Sequence, residues 1–590
     1  MSDDERFTRD LRKVILERAP ASVPPELRAR VAGLREEYRP RRRVTVPRLA
    51  AALAAGIVVV ALAVASLITV PRSPAPLPGA PSSPPRTQAL SASPSPTLTA
   101  SPGQTAHPTS QPSPSTAASP LPPLEGWTFA IPGAAAPPLR SPDGTVYVAT
   151  GGYGHGPAAL NALDPSGHPE PGWPFAPSGV LSFGAPQLAD DGTVYVQGTL
   201  PGGSSGYGAV WALDPQGRVK DGWPYPRIGS GLSVTSLVVA GDGTAYVSTA
   251  HYPTQSVSDQ QLVALDPSGH VRPGWPVAFG SIGGCQPAPC SPIWPTLGSD
   301  GAWYALVAAP GSGPEGTTLV ALRPDGTEKP GWPVRDVANF ALGPDGLVYA
   351  WSAETSGVTP SNNPPHITRT TFRVLNADGT TRAGWPVTIE GPASAPAIGP
   401  DGTLYTTTGD GLGGPERIVA FGLDGLMRSR WPYAVPSGID AWRHYDGEGG
   451  APSLEAPFVG SDGTVYLAVT RGAHAEESGL LAVGSDGVGI DGWPVWLPAG
   501  QQLGQAQYAT PGSSALVPPV FGTERTLYLA IALSDGSAGI TAIDPSGKFV
   551  SGWPFLTNGQ GRFAGALVMA PDGMLYGIAG ETLYAIPSRR

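Results

Sequence analysis

Two short motifs alternate along most of this chain, and their shared period constrains the fold more than any other feature. One is a tryptophan marker, usually G-W-P, at Trp127 (in GWTF), Trp173, Trp223, Trp275, Trp332, Trp385, Trp431, Trp493 and Trp553. Its successive spacings are 46, 50, 52, 57, 53, 46, 62 and 60 residues. The other is D-G-x-x-Y, starting at Asp143, Asp191, Asp242, Asp300, Asp345, Asp401, Asp462 and Asp572, with a degenerate ninth copy, TERTLY, ending at Tyr528. A fixed period of this length marks a repeat architecture, in which stacked units bury the faces that no unit can bury alone.

Each unit reads as four strands. In residues 391–435 a short apolar run precedes Asp401-Gly402, a pair that tolerates the positive φ of a tight hairpin. TLYTTT follows as a second strand and RIVAFG as a third. The next turn is clearest as D-P-S-G at Asp164, Asp266 and Asp544, which fits a type I turn. Trp-Pro is then assigned to the fourth strand, where a proline, lacking an N–H, belongs on an edge. Four-stranded antiparallel units arranged radially make an all-β propeller. The markers count to nine, so nine blades are expected, or eight if the TERTLY unit is irregular. GWTF, with no strands before it, is expected to complete the last blade, whose own sequence PDGMLYGIAGETLYAIPS holds three strands and no Trp-Pro.

ALDPSGHVRPGWPV (264–277) and PDGTVYVAT (142–150) resemble the repeats of bacterial PQQ-like propellers, the quinoprotein alcohol dehydrogenase-like group. The resemblance covers residues 124–590 and implies that each marker Trp docks between blades. It also implies either of two uses, pyrroloquinoline quinone (PQQ) enzymes or non-catalytic scaffolds. The enzymes use adjacent cysteines beside the quinone, whereas Cys285 and Cys290 in GGCQPAPC are separated by four residues. No quinone or other cofactor is therefore expected. Outside the cytoplasm such a pair reads as a small loop-closing disulfide.

Ahead of the repeats stand three different segments. LAAALAAGIVVVALAVASLITV (49–70) is 22 uncharged residues, enough to cross a bilayer, and the transmembrane segment is assigned to 48–70. Arg41, Arg42, Arg43 and Arg48 precede it and only Arg72 follows closely, which places the N-terminus in the cytoplasm and the repeats outside, extracellular or periplasmic. A cleaved signal peptide is the competing reading, though the leader and the apolar run are both long for one. Residues 71–123 hold 16 Pro and 17 Ser or Thr among 53 positions, a composition that stays disordered and extended. As polyproline II this linker has a contour of about 160 Å. Residues 1–47 read as short basic amphipathic helices. VPPELRARVAGL resembles the cytoplasmic ends of bacterial membrane-bound anti-sigma factors, which implies a possible cytoplasmic partner; a solvated tail that only orients the anchor is the simpler reading.

Charge narrows the partners. Residues 1–48 carry 13 basic and 8 acidic residues, so from totals of 36 and 46 the remainder carries 23 and 38, a net of −15. An acidic body argues against nucleic acid. No H-E-x-x-H or calcium-loop motif is present, and GGSSG at 202–206 lacks the strand–turn–helix setting of a nucleophile elbow. No catalytic residue and no metal site is assigned.

In an up-and-down blade the D-G and D-P-S-G turns share one face, and the variable connections share the other. Variable loops on a rigid scaffold are where binding is expected. Within 434–455, Trp442, Arg443, His444, Tyr445 and Asp446 are the densest mix of aromatic and charged groups and form the candidate ligand site. Trp442 and Tyr445 could equally cover the mouth of the central channel. The leading expectation is a single-pass, membrane-anchored propeller that binds a protein or glycan without catalysis. The alternatives are a quinone-dependent or glycan-acting enzyme, and a sensor whose tail regulates a sigma factor.

Overall fold

Asp and Gly divide the work of the first turn of each unit. In a computed structural model of the protein, the Asp side chain accepts a hydrogen bond from the backbone N–H two residues on, as from Thr193 to Asp191 (2.8 Å) and Thr403 to Asp401 (3.0 Å). The Gly alone takes the left-handed conformation, with φ of 81° at Gly192 and 77° at Gly402. The Asp therefore caps the turn rather than sharing its positive φ, as in a type I turn closed by a left-handed glycine. D-P-S-G forms the expected turn, closed by Gly167 N–H to Asp164 C=O at 2.9 Å.

The structure describes residues 125–588, apart from 134–135, 152–155, 202–206, 227–231, 255–256, 284–294, 309–316, 357–365, 410–415, 445–452, 473–476, 506–515, 523, 561 and 564. The N-terminal segment, the apolar span, the whole Pro/Ser/Thr linker, GGSSG and both cysteines lie outside the described residues. Among the described residues, no helix is long and apolar enough to cross a membrane.

Between these turns the strands pair in order. Ser233–Val239, Ala245–Thr254, Val257–Leu265 and Val277–Gly283 form one antiparallel sheet, and the pattern recurs to give nine blades. The degenerate unit is a full blade, built on Leu527–Leu533, Ser537–Ile543 and Phe555–Gln560, so the eight-bladed alternative falls. Trp127–Ala130 pairs with Thr582–Pro587, with Trp127 opposite Ala585, and closes the last blade with the first strand. Second strands such as Val146–Thr150 are buried along their whole length, because blades cover both of their faces.

The core lies between blades, and the marker tryptophans bind it together. Most of these indoles pack against the D-G-x-x-Y tyrosine of their own blade, as Tyr195 with Trp223 at 5.4 Å and Tyr246 with Trp275 at 5.6 Å, both edge-on, while Trp385 edges onto Phe421 at 6.4 Å. Indole Nε1 groups donate to the second turn of the next blade, from Trp173 to Pro215, Trp223 to Pro267, Trp275 to Pro324 and Trp332 to Ala377, at 3.1–3.2 Å. Trp127 does the same across the closure, to Pro165 at 2.9 Å. The tyrosines add a second tie, Tyr195 Oη to Gly243 C=O at 2.9 Å and Tyr349 Oη to Gly402 C=O at 2.8 Å.

The assignment of Trp-Pro to the fourth strand needs correction. Glu170 N–H still bonds Ala162 C=O and Phe175 N–H bonds Leu160 C=O, but the intervening residues loop out of the ladder. Proline sits in that interruption because it has no N–H to donate. The glycine before Trp has positive φ, 92° at Gly172 and 89° at Gly222. Counting blades from the one that carries Trp173, blade 6 places Arg430 there instead, at φ 65°, with an exposed ion pair to Asp486 at 3.2 Å. Left-handed backbone costs a non-glycine residue about 1–2 kcal/mol, and an exposed ion pair offsets little of it. Arg430→Gly should therefore stabilise the protein by up to about 1 kcal/mol, read as a higher denaturant midpoint; a lower midpoint would show the ion pair outweighs the strain.

Candidate functional site

The two faces of the ring differ in how they are built. On the turn face, basic residues stand over the D-G aspartates: Lys220 over Asp191 (3.4 Å), Arg272 over Asp242 (3.7 Å), Lys329 over Asp300 (2.6 Å) and Arg428 over Asp401 (3.0 Å). Burial opposes ionisation of these aspartates, but the capping N–H groups and basic partners outweigh it and hold their carboxyls below the ordinary value. A depressed folded pKa contributes stability above the unfolded value, which is lost as pH falls through the folded one. The melting temperature should thus be insensitive to these groups from pH 5 to 8 and fall below about pH 4. Asp300→Asn should make that acid fall shallower; an unchanged acid limb would remove Asp300 from the linkage.

On the opposite face the hairpins are uneven. Val146–Thr150 and Ala159–Leu163 are five-residue strands, whereas Val348–Ser356 and His366–Leu375 run to nine and ten. Arg369 ties the taller hairpin to its outer strand, 3.3 Å from Glu354 and 3.4 Å from Glu390. The irregular stretches 434–455 and 496–514 are partly insertions within the first strands of their blades. Asp440–Ala441 and Phe458–Val459 both pair with Val465–Arg471, and Gln501–Leu503 and Val520–Phe521 both pair with Leu527–Leu533. First strands of neighbouring blades touch one another, as Ala397–Ile398 with Phe458–Val459, so these insertions leave from the inner edge of the ring.

Within the first insertion the candidate residues separate. Trp442 is 8% exposed and packs against Ala468, Leu480, Leu503 and Leu529 between blades 7 and 8. It anchors the loop from below and presents no open ring face. Arg443 donates through Nη2 to Oε1 of Glu416 at 2.5 Å, and Glu416 also accepts the backbone N–H of Ala441. Glu416 is 5% exposed, so this ion pair clamps the insertion to blade 6. Arg443–His444 pairs with Ser453–Leu454 as a short hairpin. The His444 side chain, Tyr445 and Asp446 lie outside the described residues, as does the proposed Cys285–Cys290 disulfide.

Sequence reasoning missed Glu416, since a single carboxylate before an apolar strand carries no signal of its partner 27 residues on. It also missed the cation over Trp496, where the Arg471 guanidinium lies 4.2 Å from the ring centre while pairing with Glu477. Among the described residues no three His, Cys, Asp or Glu side chains converge as a metal-binding group.

No family model and no curated protein matches this chain. Similar solved structures include a eukaryotic initiation factor, at 10% identity and TM-score 0.41 over 72% of this chain and 89% of that one. They include the Dos1 propeller, at 9% identity and TM-score 0.37 over 79% and 95%. Prolyl oligopeptidase B from Galerina marginata is similar at 12% identity and TM-score 0.35, over 67% of this chain and 54% of that one. Likenesses this distant transfer no activity, and the chain's own strand pairing is what identifies it as an all-β, nine-bladed propeller.

Proposed function

We propose that this protein is a single-pass, membrane-anchored propeller held outside the cell membrane on its Pro/Ser/Thr linker, where it binds a protein or glycan without catalysis. The observation that carries this reading is the asymmetry of the two faces. One is a repeated set of short turns tied by indole and carboxylate contacts; the other bears the tall hairpins of blades 3 and 5 and the insertions of blades 7 and 8. Rigid support beneath uneven loops is the arrangement of a binding surface. Burial of Trp442 and the pairing of Arg443 with Glu416 move the expected contacts to the exposed polar groups around Arg369. The likeness to PQQ-like repeats supports the scaffold use rather than the quinone use, because the cysteine spacing departs from that of the enzymes. The anchor rests on the uncharged 49–70 span and the arginines before it.

Thermal unfolding of the full-length chain in detergent tests the binding reading, with a panel of oligosaccharides and, separately, PQQ plus calcium. A ligand at 100 times its Kd adds about 2.7 kcal/mol. An oligosaccharide shift abolished by Arg369→Ala but kept by Lys548→Ala on the turn face would support it. Stabilisation by PQQ with calcium, or turnover, would overturn the non-catalytic reading. Protease added outside intact cells should remove the propeller and leave residues 1–47 intact; full protection of the propeller would overturn the topology.

A further inference from the structure

Between blades 5 and 6 the turn face departs from its own pattern. Arg382 stands three residues before Trp385, the place held by Lys220, Arg272, Lys329 and Arg428 in their blades. Among the described residues its counterpart Asp345 has no basic partner, and the Tyr349 hydroxyl, which also bonds Gly402 C=O, lies 2.9 Å from its carboxylate. Arg382 reaches across to blade 6, where its Nε donates to Leu423 C=O at 3.2 Å, beside the bond from Trp385 to the same oxygen. Among the described residues, neither Nη of Arg382 has a hydrogen-bond partner.

The turns on either side are altered as well. Asn376 occupies the place that Asp164, Asp266 and Asp544 hold elsewhere, and turn capping passes to Asp378, which accepts from Thr380 N–H at 3.1 Å. The Asn376 amide N–H donates to Thr380 Oγ1 at 3.0 Å, which leaves its oxygen open. In blade 6, Asp424 caps Leu426 N–H through Oδ1 at 3.1 Å, leaving Oδ2 open. Arg428 spends its Nε and Nη2 on Thr403 and Asp401 and keeps Nη1. These groups, with Ala383 and Leu423, line one open pocket of about 620 Å³.

We propose that this pocket binds a polyhydroxy carboxylate, a sugar acid of the uronate class. The two Nη atoms of Arg382 form the planar fork that matches a carboxylate, with Arg428 Nη1 beside it. Asn376 Oδ1 and Asp424 Oδ2 are acceptors that match hydroxyl donors on the ligand. Ala383 and Leu423 offer an apolar floor for the C–H face of a ring. The Asp424 carboxylate weighs about twice as heavily against a phosphate dianion as against a monoanionic carboxylate, because the repulsion scales with the ligand's charge. The volume falls within the range of small-molecule sites. This site lies on the face opposite the uneven loops and stands independently of the function proposed for them.

The test is calorimetric titration of the full-length chain in detergent with glucuronate, glucose and inorganic phosphate. Glucuronate should bind at least ten-fold more tightly than either of the others. Arg382→Gln should weaken it at least ten-fold, while Lys329→Gln, the same place in blade 4, should leave it within two-fold. Asn376→Asp restores the residue found in other turns, so it keeps the fold, and it should weaken glucuronate at least five-fold by facing its carboxylate with another. Equal binding of glucose or phosphate, no binding of glucuronate, or full affinity in both Arg382→Gln and Asn376→Asp would overturn the proposal.

Discussion

Trp275→Ala should lower the free energy of unfolding by about 3–5 kcal/mol, the range for a buried indole truncated in a core. Trp275 is 7% exposed, edges onto Tyr246 at 5.6 Å and donates to Pro324 C=O at 3.1 Å, so one substitution opens a cavity between blades 3 and 4 and removes a tie between them. Trp275→Phe keeps most of the ring contact and loses the N–H, and should cost nearer 1–2 kcal/mol for the bond and lost volume, an order-of-magnitude figure. Denaturant titration by tryptophan fluorescence reads both. A loss below about 1 kcal/mol for the alanine variant would mean that neighbouring blades close over the gap and that the indole is not what joins them.

A comparable loss should follow from a single added methyl group at Gly222. Its φ is 89°, and a Cβ there would stand 1.9 Å from the carbonyl oxygen of Ser268 in the next blade. Strained backbone costs about 1–3 kcal/mol, and the collision must also push two backbones apart. Gly222→Ala is therefore expected to cost upwards of about 3 kcal/mol. Gly438 and Gly536 separate the two effects, because both have positive φ, 81° and 84°, with nothing within 4 Å of the added carbon. Alanine at either should cost only about 1–2 kcal/mol. If Gly222→Ala melts no lower than Gly536→Ala, the close approach between blades carries no energetic weight.

These predictions rest on residues that stand out in the sequence, which explains why the architecture was legible there. Tyr, Trp and the two turn types recur because every blade solves the same packing problem, so each copy reinforces the reading of the others. Even the degenerate TERTLY unit could be counted, since Tyr528 and Trp553 keep their edge-on contact at 5.1 Å although Arg525 replaces the turn glycine at φ 61°. The site was less legible because it depends on departures from the repeat. Trp442 looked like a surface aromatic, being in a polar stretch, yet the insertion folds it down between blades 7 and 8. Arg382 occupies the same place before its Trp as Lys329 and Arg428, yet it turns away from its own blade.

The order of strands, the closure through GWTF and the separation of a uniform face from a variable one were determined by sequence alone, because they follow from local turn chemistry repeated at a steady spacing. Only the tertiary structure decided which first strands are interrupted, that Glu416 meets Arg443, and that Arg382 bonds Leu423 C=O through Nε and lines a pocket. The physical reason is range. A turn or a strand is settled by residues a few positions apart, whereas a contact between blades depends on how two backbones approach across some 25 to 60 residues of chain.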